Sequence, residues 1–155
     1  MEISLRSMHG FGADVIRSAV AYPTRMWAHI ATSLIYSKGG NEMLNTNLKH
    51  LETEQEVKEA IENNKNVMVC CGRMGPMCIP VYDIMEDLEE GYPHVLLCDQ
   101  DFDIRAASFI RNLPECASFM GLPFTVYFKN GKVAAATTSI QNKDQVKKIL
   151  DREFR

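Results

Sequence analysis

The sequence predicts an α/β protein in which helices flank a mixed β-sheet. Three observations point there. From about residue 48 onward, apolar runs of strand length alternate with stretches whose apolar residues recur at helical period. The last two strand candidates are separated only by the turn Lys129-Asn130-Gly131, which marks an antiparallel hairpin. An amphipathic segment then closes the chain. Its 155 residues suit one compact domain with an appendage, and 46% hydrophobic against 24% charged residues is an ordinary folded composition, which excludes disorder and fibrous architectures.

In chain order, Leu48 to Leu51 is a short strand candidate. Thr53, with Glu56 three residues on, forms a capping box that opens a helix running to Asn64. Asn66 to Cys71 is a continuous apolar run of strand length, as expected of a strand buried on both faces. After it Val81, Ile84, Met85 and Leu88 fall on one helical face, with five acids on the others. His94 to Asp99 is a second buried strand, and Asp103 to Asn112 a further helix. Phe124 to Phe128 and Lys132 to Thr137 are the hairpin strands, and Lys143 to Phe154 the closing helix.

Ahead of this body, residues 1–47 are expected to form an N-terminal helical extension, leaving 48–155 as the main domain. Pro23, Lys38 and Gly39-Gly40 punctuate a helix. Met26, Trp27, Ile30, Ala31, Leu34 and Ile35 recur at about helical period as one apolar stripe. The stripe over residues 24–37 needs a cover, either the chain's own body or a dimer or partner contact. Arg25, His29 and Ser33 interrupt it, so neither a membrane span nor a secretory signal is expected.

Charge excludes one class of partner. The 17 Lys+Arg against 20 Asp+Glu give −3 with no basic block, so nucleic acid is not an expected ligand. Five cysteines, an odd number without a secretory signal, are expected to be reduced thiols in the cytoplasm. Their spacing matches no zinc module, so no metal or other cofactor is expected.

The segment Gly121 to Asp151, "GLPFTVYFKNGKVAAATTSIQNKDQVKKILD", resembles the C-terminal half of thioredoxins: a Gly-hydrophobic-Pro turn, a strand, a Phe-Lys-Asn-Gly hairpin, a second strand and a Lys-rich final helix. The resemblance extends over about residues 48–155 and implies a thioredoxin-like fold. It also implies that Pro123 follows Leu122 through a cis peptide beside the redox site, with the preceding backbone pairing with an extended partner. By itself an X-Pro bond is usually trans.

The resemblance breaks at "VCCGRMGPMCIP", where thioredoxins carry Cys-Gly-Pro-Cys at the opening of a helix. Two registers compete. In one, Met74-Gly75-Pro76-Met77 replaces the motif; a thioether neither ionises nor forms a disulfide, so the two-thiol cycle is lost at those positions. This register matches the Gly-Pro and the short strand-to-helix loop. In the other, Cys78-Ile79-Pro80-Val81 is the motif and one nucleophile survives.

In either register Cys78 stands near a helix N-terminus, where backbone N–H groups favour thiolate, so its pKa is expected to fall, with Arg73 adding to the effect. Cys71 and Cys116 are candidate resolving thiols. Cys70 and Cys71 must point to opposite faces of their strand, so at most one of them faces any given site. Cys98 reads as core. Met74, Gly75, Pro76, Met77, Leu122 and Pro123 are the candidate partner-binding residues.

Three functions follow. A thiol-disulfide oxidoreductase of single-cysteine type would use Cys78 and an outside thiol. An adaptor without redox activity would keep the peptide-binding face alone, as phosducin-like proteins do. A metal-holding cluster of Cys70, Cys71, Cys78 and Cys116 ranks last.

Overall fold

The structure is a computed structural model that describes residues 44–155. The expectations for residues 24–37, and for the rest of the extension up to residue 43, lie outside the described residues. Leu44 to Asn47, which the sequence places with the extension, contact the body: Leu44 is buried in its core, the Thr46 hydroxyl donates to Asp99, and the Asn47 N–H donates to Glu86 at 2.7 Å.

Five strands form one mixed sheet in the order β1-β3-β2-β4-β5. The parallel part comprises β1 (Lys49–His50), β2 (Asn66–Gly72) and β3 (Leu96–Asp101), with β2 registered so that Cys70 faces Asp99 and Cys71 faces Gln100. Antiparallel β4 (Phe124–Lys129) pairs Thr125 with Cys70, and β5 (Lys132–Thr138) returns through a tight turn. Asn130 at φ 51° and Gly131 at φ 78° supply the two left-handed residues that such a turn requires.

Helix α1 (Glu54–Asn63) begins with the expected box: the Thr53 hydroxyl accepts from the Glu56 N–H at 3.2 Å, and the Glu56 carboxylate accepts from the Thr53 N–H at 2.9 Å. The segment expected to be a helix from Asp103 to Asn112 is broken into a 3-10 turn over Arg105–Ala107 and a single α turn, α3 (Ser108–Arg111). Ile104 precedes it in extended backbone, which sets the start later than periodicity suggests. Helix α4 (Lys143–Glu153) opens with a box like that of α1, built from Asn142 and Gln145.

The sheet divides the core in two. On one face α2 (Ile79–Leu88) and α4 pack Val81, Tyr82, Met85, Val146 and Leu150 against Met68, Cys70 and Tyr127. On the other, α1 and α3 pack Val57, Ile61 and Ile110 against Val67, Val69, Cys71 and Val126. Successive β2 side chains therefore alternate between two apolar layers, and every β2 residue is buried. On α2 the buried set is Val81, Tyr82, Met85 and Leu88; Ile84, expected on the core face, is only partly buried, and Tyr82 takes its place.

Candidate functional site

Strand β2 ends at Gly72, and the chain crosses to α2 through Arg73 to Met77. The Gly75 carbonyl accepts from both the Cys78 and Ile79 N–H groups at 3.0 Å, turning the backbone into the helix. Met74-Gly75-Pro76-Met77 thus occupies the connecting turn. Cys78 is the N-cap of α2, and Ile79, Pro80 and Val81 form its first turn. Cys78 has helical φ and ψ (−96°, −42°), and its side chain makes no capping bond. Pro80 sits in the first turn, where a missing N–H costs nothing.

Gly72 is where the site converges. A Cβ on Gly72 would lie 2.7 Å from the Tyr82 hydroxyl, 2.8 Å from Cys78 Sγ and 3.1 Å from Pro123 Cβ. Only glycine lets the strand pass beneath three groups at once. The cysteine sulfur and the proline ring are consequently neighbours across Gly72. The Leu122–Pro123 peptide is cis, and the Pro123 carbonyl accepts from the Ser139 N–H at 3.0 Å, tying the loop before β4 to the end of β5. Cys78 and Tyr82 share one helical face because they are four residues apart.

The sulfur lies beneath the surface: Cys78 is 2% exposed. Burial pushes its pKa up, while the Arg73 N–H, 3.4 Å from Sγ, and the Arg73 guanidinium act in the opposite direction. The expected lowering is therefore corrected: desolvation outweighs the Arg73 N–H and the nearby cation. Arg73 itself is held outward by a bidentate pair with Asp103, both contacts at 2.6 Å, and its guanidinium lies 5.2 Å from the centre of the Phe102 ring, which Arg111 faces at 5.1 Å.

The candidate resolving thiols are not brought to Cys78. Cys71 and Cys116 lie in the other core layer, and desolvation raises the Cys116 thiol to about 11 and the Cys71 thiol further still. Cys70 shares the layer of Cys78, as strand alternation requires; its own thiol, buried and in contact with Thr125 at 3.8 Å, is pushed well up by desolvation. Cys98 is core, as expected, and desolvation raises it to about 12. All five cysteines are free and buried. The four cysteines weighed as a cluster are split between layers, and among the described residues no three His, Cys, Asp or Glu side chains converge to hold a metal ion.

What the surface offers instead is thioether and aliphatic. Met77 is 44% exposed, Ile79 and Ile140 are exposed, and Met120, three residues before Pro123, is 97% exposed. Met74 is half-buried against the core, with its sulfur 3.4 Å from the Asn45 N–H.

Two features escape sequence reasoning. Tyr82 is hidden by a helical stripe drawn through Ile84; its spacing of four from Cys78 is the available signal. Asp99, fully buried on β3, accepts from Thr46 and pairs with His50 Nδ1 at 2.6 Å. Burial raises its pKa and those hydrogen bonds oppose the rise. No local pattern links residues 46, 50 and 99.

No protein-family model and no curated protein matches the chain. Solved structures do. Mitochondrial thioredoxin 3 from Saccharomyces cerevisiae, in its oxidized form, is 22% identical with a TM-score of 0.55, covering 67% of this chain and 94% of its own. Thioredoxin from Fasciola hepatica is 19% identical, TM-score 0.58, covering 68% and 99%. A mutant thioredoxin from Halobacterium salinarum is 16% identical, TM-score 0.59, covering 75% and 97%. At these identities the likeness shows the fold, which is thioredoxin-like. Among the described residues no helix is long and apolar enough to cross a membrane.

Proposed function

We propose that this thioredoxin-like protein recognises a protein or thiol partner at the face formed by Met74 to Cys78 and the Leu122-Pro123 loop, with Cys78 as its single reactive thiol. The carrying observation is the convergence of Cys78 Sγ and the Pro123 ring over Gly72. It sets the one cysteine at the start of α2 beside the loop that, by resemblance, receives an extended partner. Exposed Met77, Ile79 and Met120 give this end of the domain an adaptable apolar surface. A reducing compartment such as the cytoplasm suits five free thiols.

The chemistry is a thiol-disulfide exchange. Cys78 as thiolate attacks one sulfur of a partner disulfide; that S–S bond breaks, a mixed disulfide with Cys78 forms, and the other partner sulfur leaves as thiolate. A small-molecule thiolate then attacks Cys78 Sγ of the mixed disulfide, and the partner's second sulfur leaves as thiolate. A second small thiolate attacks the sulfur of the first, frees the Cys78 thiolate and forms the small-molecule disulfide, so two small thiols are oxidised and the partner disulfide is reduced to two thiols. Because burial favours the protonated thiol, the thiolate is a small fraction at neutral pH, and the rate climbs with pH up to and beyond the ordinary thiol value of 9.0. Glutathione-disulfide or insulin reduction tests this: wild type is active, increasingly at alkaline pH, and Cys78→Ser is inactive. Wild type inactive in both assays defeats the redox reading.

The burial of Cys78 favours a second reading, an adaptor that binds without chemistry. It expects Cys78→Ser to bind its partner normally, while Met77→Asp and changes beside Pro123 weaken binding.

A further inference from the structure

The Tyr82 hydroxyl has no role in the fold that the structure reveals. Tyr82 is 1% exposed, and its oxygen, buried at the end of a ring packed between α2 and the sheet, has no hydrogen-bond partner. A buried hydroxyl left without a partner is destabilising, and a phenylalanine would fill the same space without that penalty. The orphaned oxygen and Cys78 Sγ converge over Gly72: they lie 2.7 Å and 2.8 Å from the one point that a Cβ on Gly72 would take. Resting on the single-thiol reading above, we infer that Tyr82 is a positioning residue whose hydroxyl donates a hydrogen bond to Cys78 Sγ when the sulfur carries negative charge.

The chemistry of the pair favours this. Burial keeps the phenol protonated, so it is a donor and not a second anion. A neutral thiol is a weak acceptor and leaves the hydroxyl unpartnered, whereas a thiolate is a strong one, so the bond strengthens in the reactive state. Other groups also bear on this spot. The Arg73 N–H and guanidinium approach Cys78 from the loop, but the guanidinium is engaged by Asp103. Cys70 on β2 and Asp99 on β3 bear on Tyr82 and, as anions, oppose further negative charge; Tyr127 on β4 faces Cys70. Tyr82 is thus a buried neutral side-chain donor beside the sulfur, in addition to the Arg73 N–H.

The experiment is the pH profile of Cys78 alkylation by iodoacetamide, read by peptide mass spectrometry on the full chain, in wild type, in Tyr82→Phe, and with 3-fluorotyrosine at position 82 as a stronger donor. Tyr82→Phe should shift the midpoint upward by about one pH unit, so alkylation at a fixed pH below it slows roughly tenfold. The fluorinated residue should shift it down. A merely structural Tyr82 moves neither midpoint, since the ring is kept. Cys78 that titrates with one midpoint in all three proteins overturns the inference and leaves the single-thiol reading standing. Wild-type Cys78 that stays unalkylated wherever the fold persists overturns both.

Discussion

Helices α1 and α2 follow β1 and β2, the two strands that flank β3 in the sheet, and begin in opposite ways. At α1, Thr53 and Glu56 satisfy each other's backbone N–H groups and two acids sit in the first turn, so the local sequence alone stops the fraying. At α2 the cap is Cys78, whose side chain makes no capping bond, with no acid in the first turn and a proline inside it. Its start is held by tertiary packing: Gly72 beneath, Pro123 beside, and Met85 and Leu88 pulling the helix onto the sheet. One start is written in four consecutive residues; the other needs the whole domain. The start that is left uncapped is the one at the candidate site.

Substitutions should separate the two kinds of start. The largest effect is expected at Gly72→Ala, where the new methyl would overlap Tyr82, Cys78 and Pro123; overpacking of this kind costs about 1–3 kcal/mol, seen as a lower urea midpoint, and Cys78 alkylation should change with it. An unchanged midpoint would mean that α2 is not held through Gly72. Thr53→Ala should cost about 1 kcal/mol and leave Cys78 reactivity untouched, because the cap acts locally.

Glu56→Gln should have a smaller effect with a defined pH dependence. The Thr53 and Glu52 N–H groups hold the Glu56 carboxyl below its ordinary 4.5, so its contribution is present above that pH and fades as pH falls through the lower folded value. The variant should be less stable than wild type at pH 7 and equal to it once Glu56 is protonated; a gap persisting at low pH would exclude the charge as its source. The smallest change belongs to Arg73→Gln. Its pair with Asp103 is open to solvent, so the unfolding midpoint should hardly move, and any difference should fade as salt is added.

The same contrast separates what is legible in the sequence from what is not. The α1 cap, the Asn130-Gly131 turn and the opposed faces of Cys70 and Cys71 are local rules, and each can be read from a few residues. The direction of the Cys78 pKa cannot: Arg73 is visible in sequence, but the desolvation that exceeds its effect comes from packing across the domain. Cys71 and Cys116 border the site in sequence, yet a strand separates its two faces completely, and parity assigns Cys71 to the far layer. The Asp99, His50 and Thr46 cluster joins residues about fifty positions apart, beyond any periodicity.

Exposed methionine changes how an oxidant would meet this face. With every thiol covered, a peroxide arriving at this end of the domain reaches Met120 and Met77 before it reaches a cysteine. Conversion to the sulfoxide makes a flexible apolar side chain polar, and sulfoxide reductases reverse it. The oxidant sensitivity of this face would then reside in surface wettability, a reversible change in what sticks to it, with the buried sulfur left as it was.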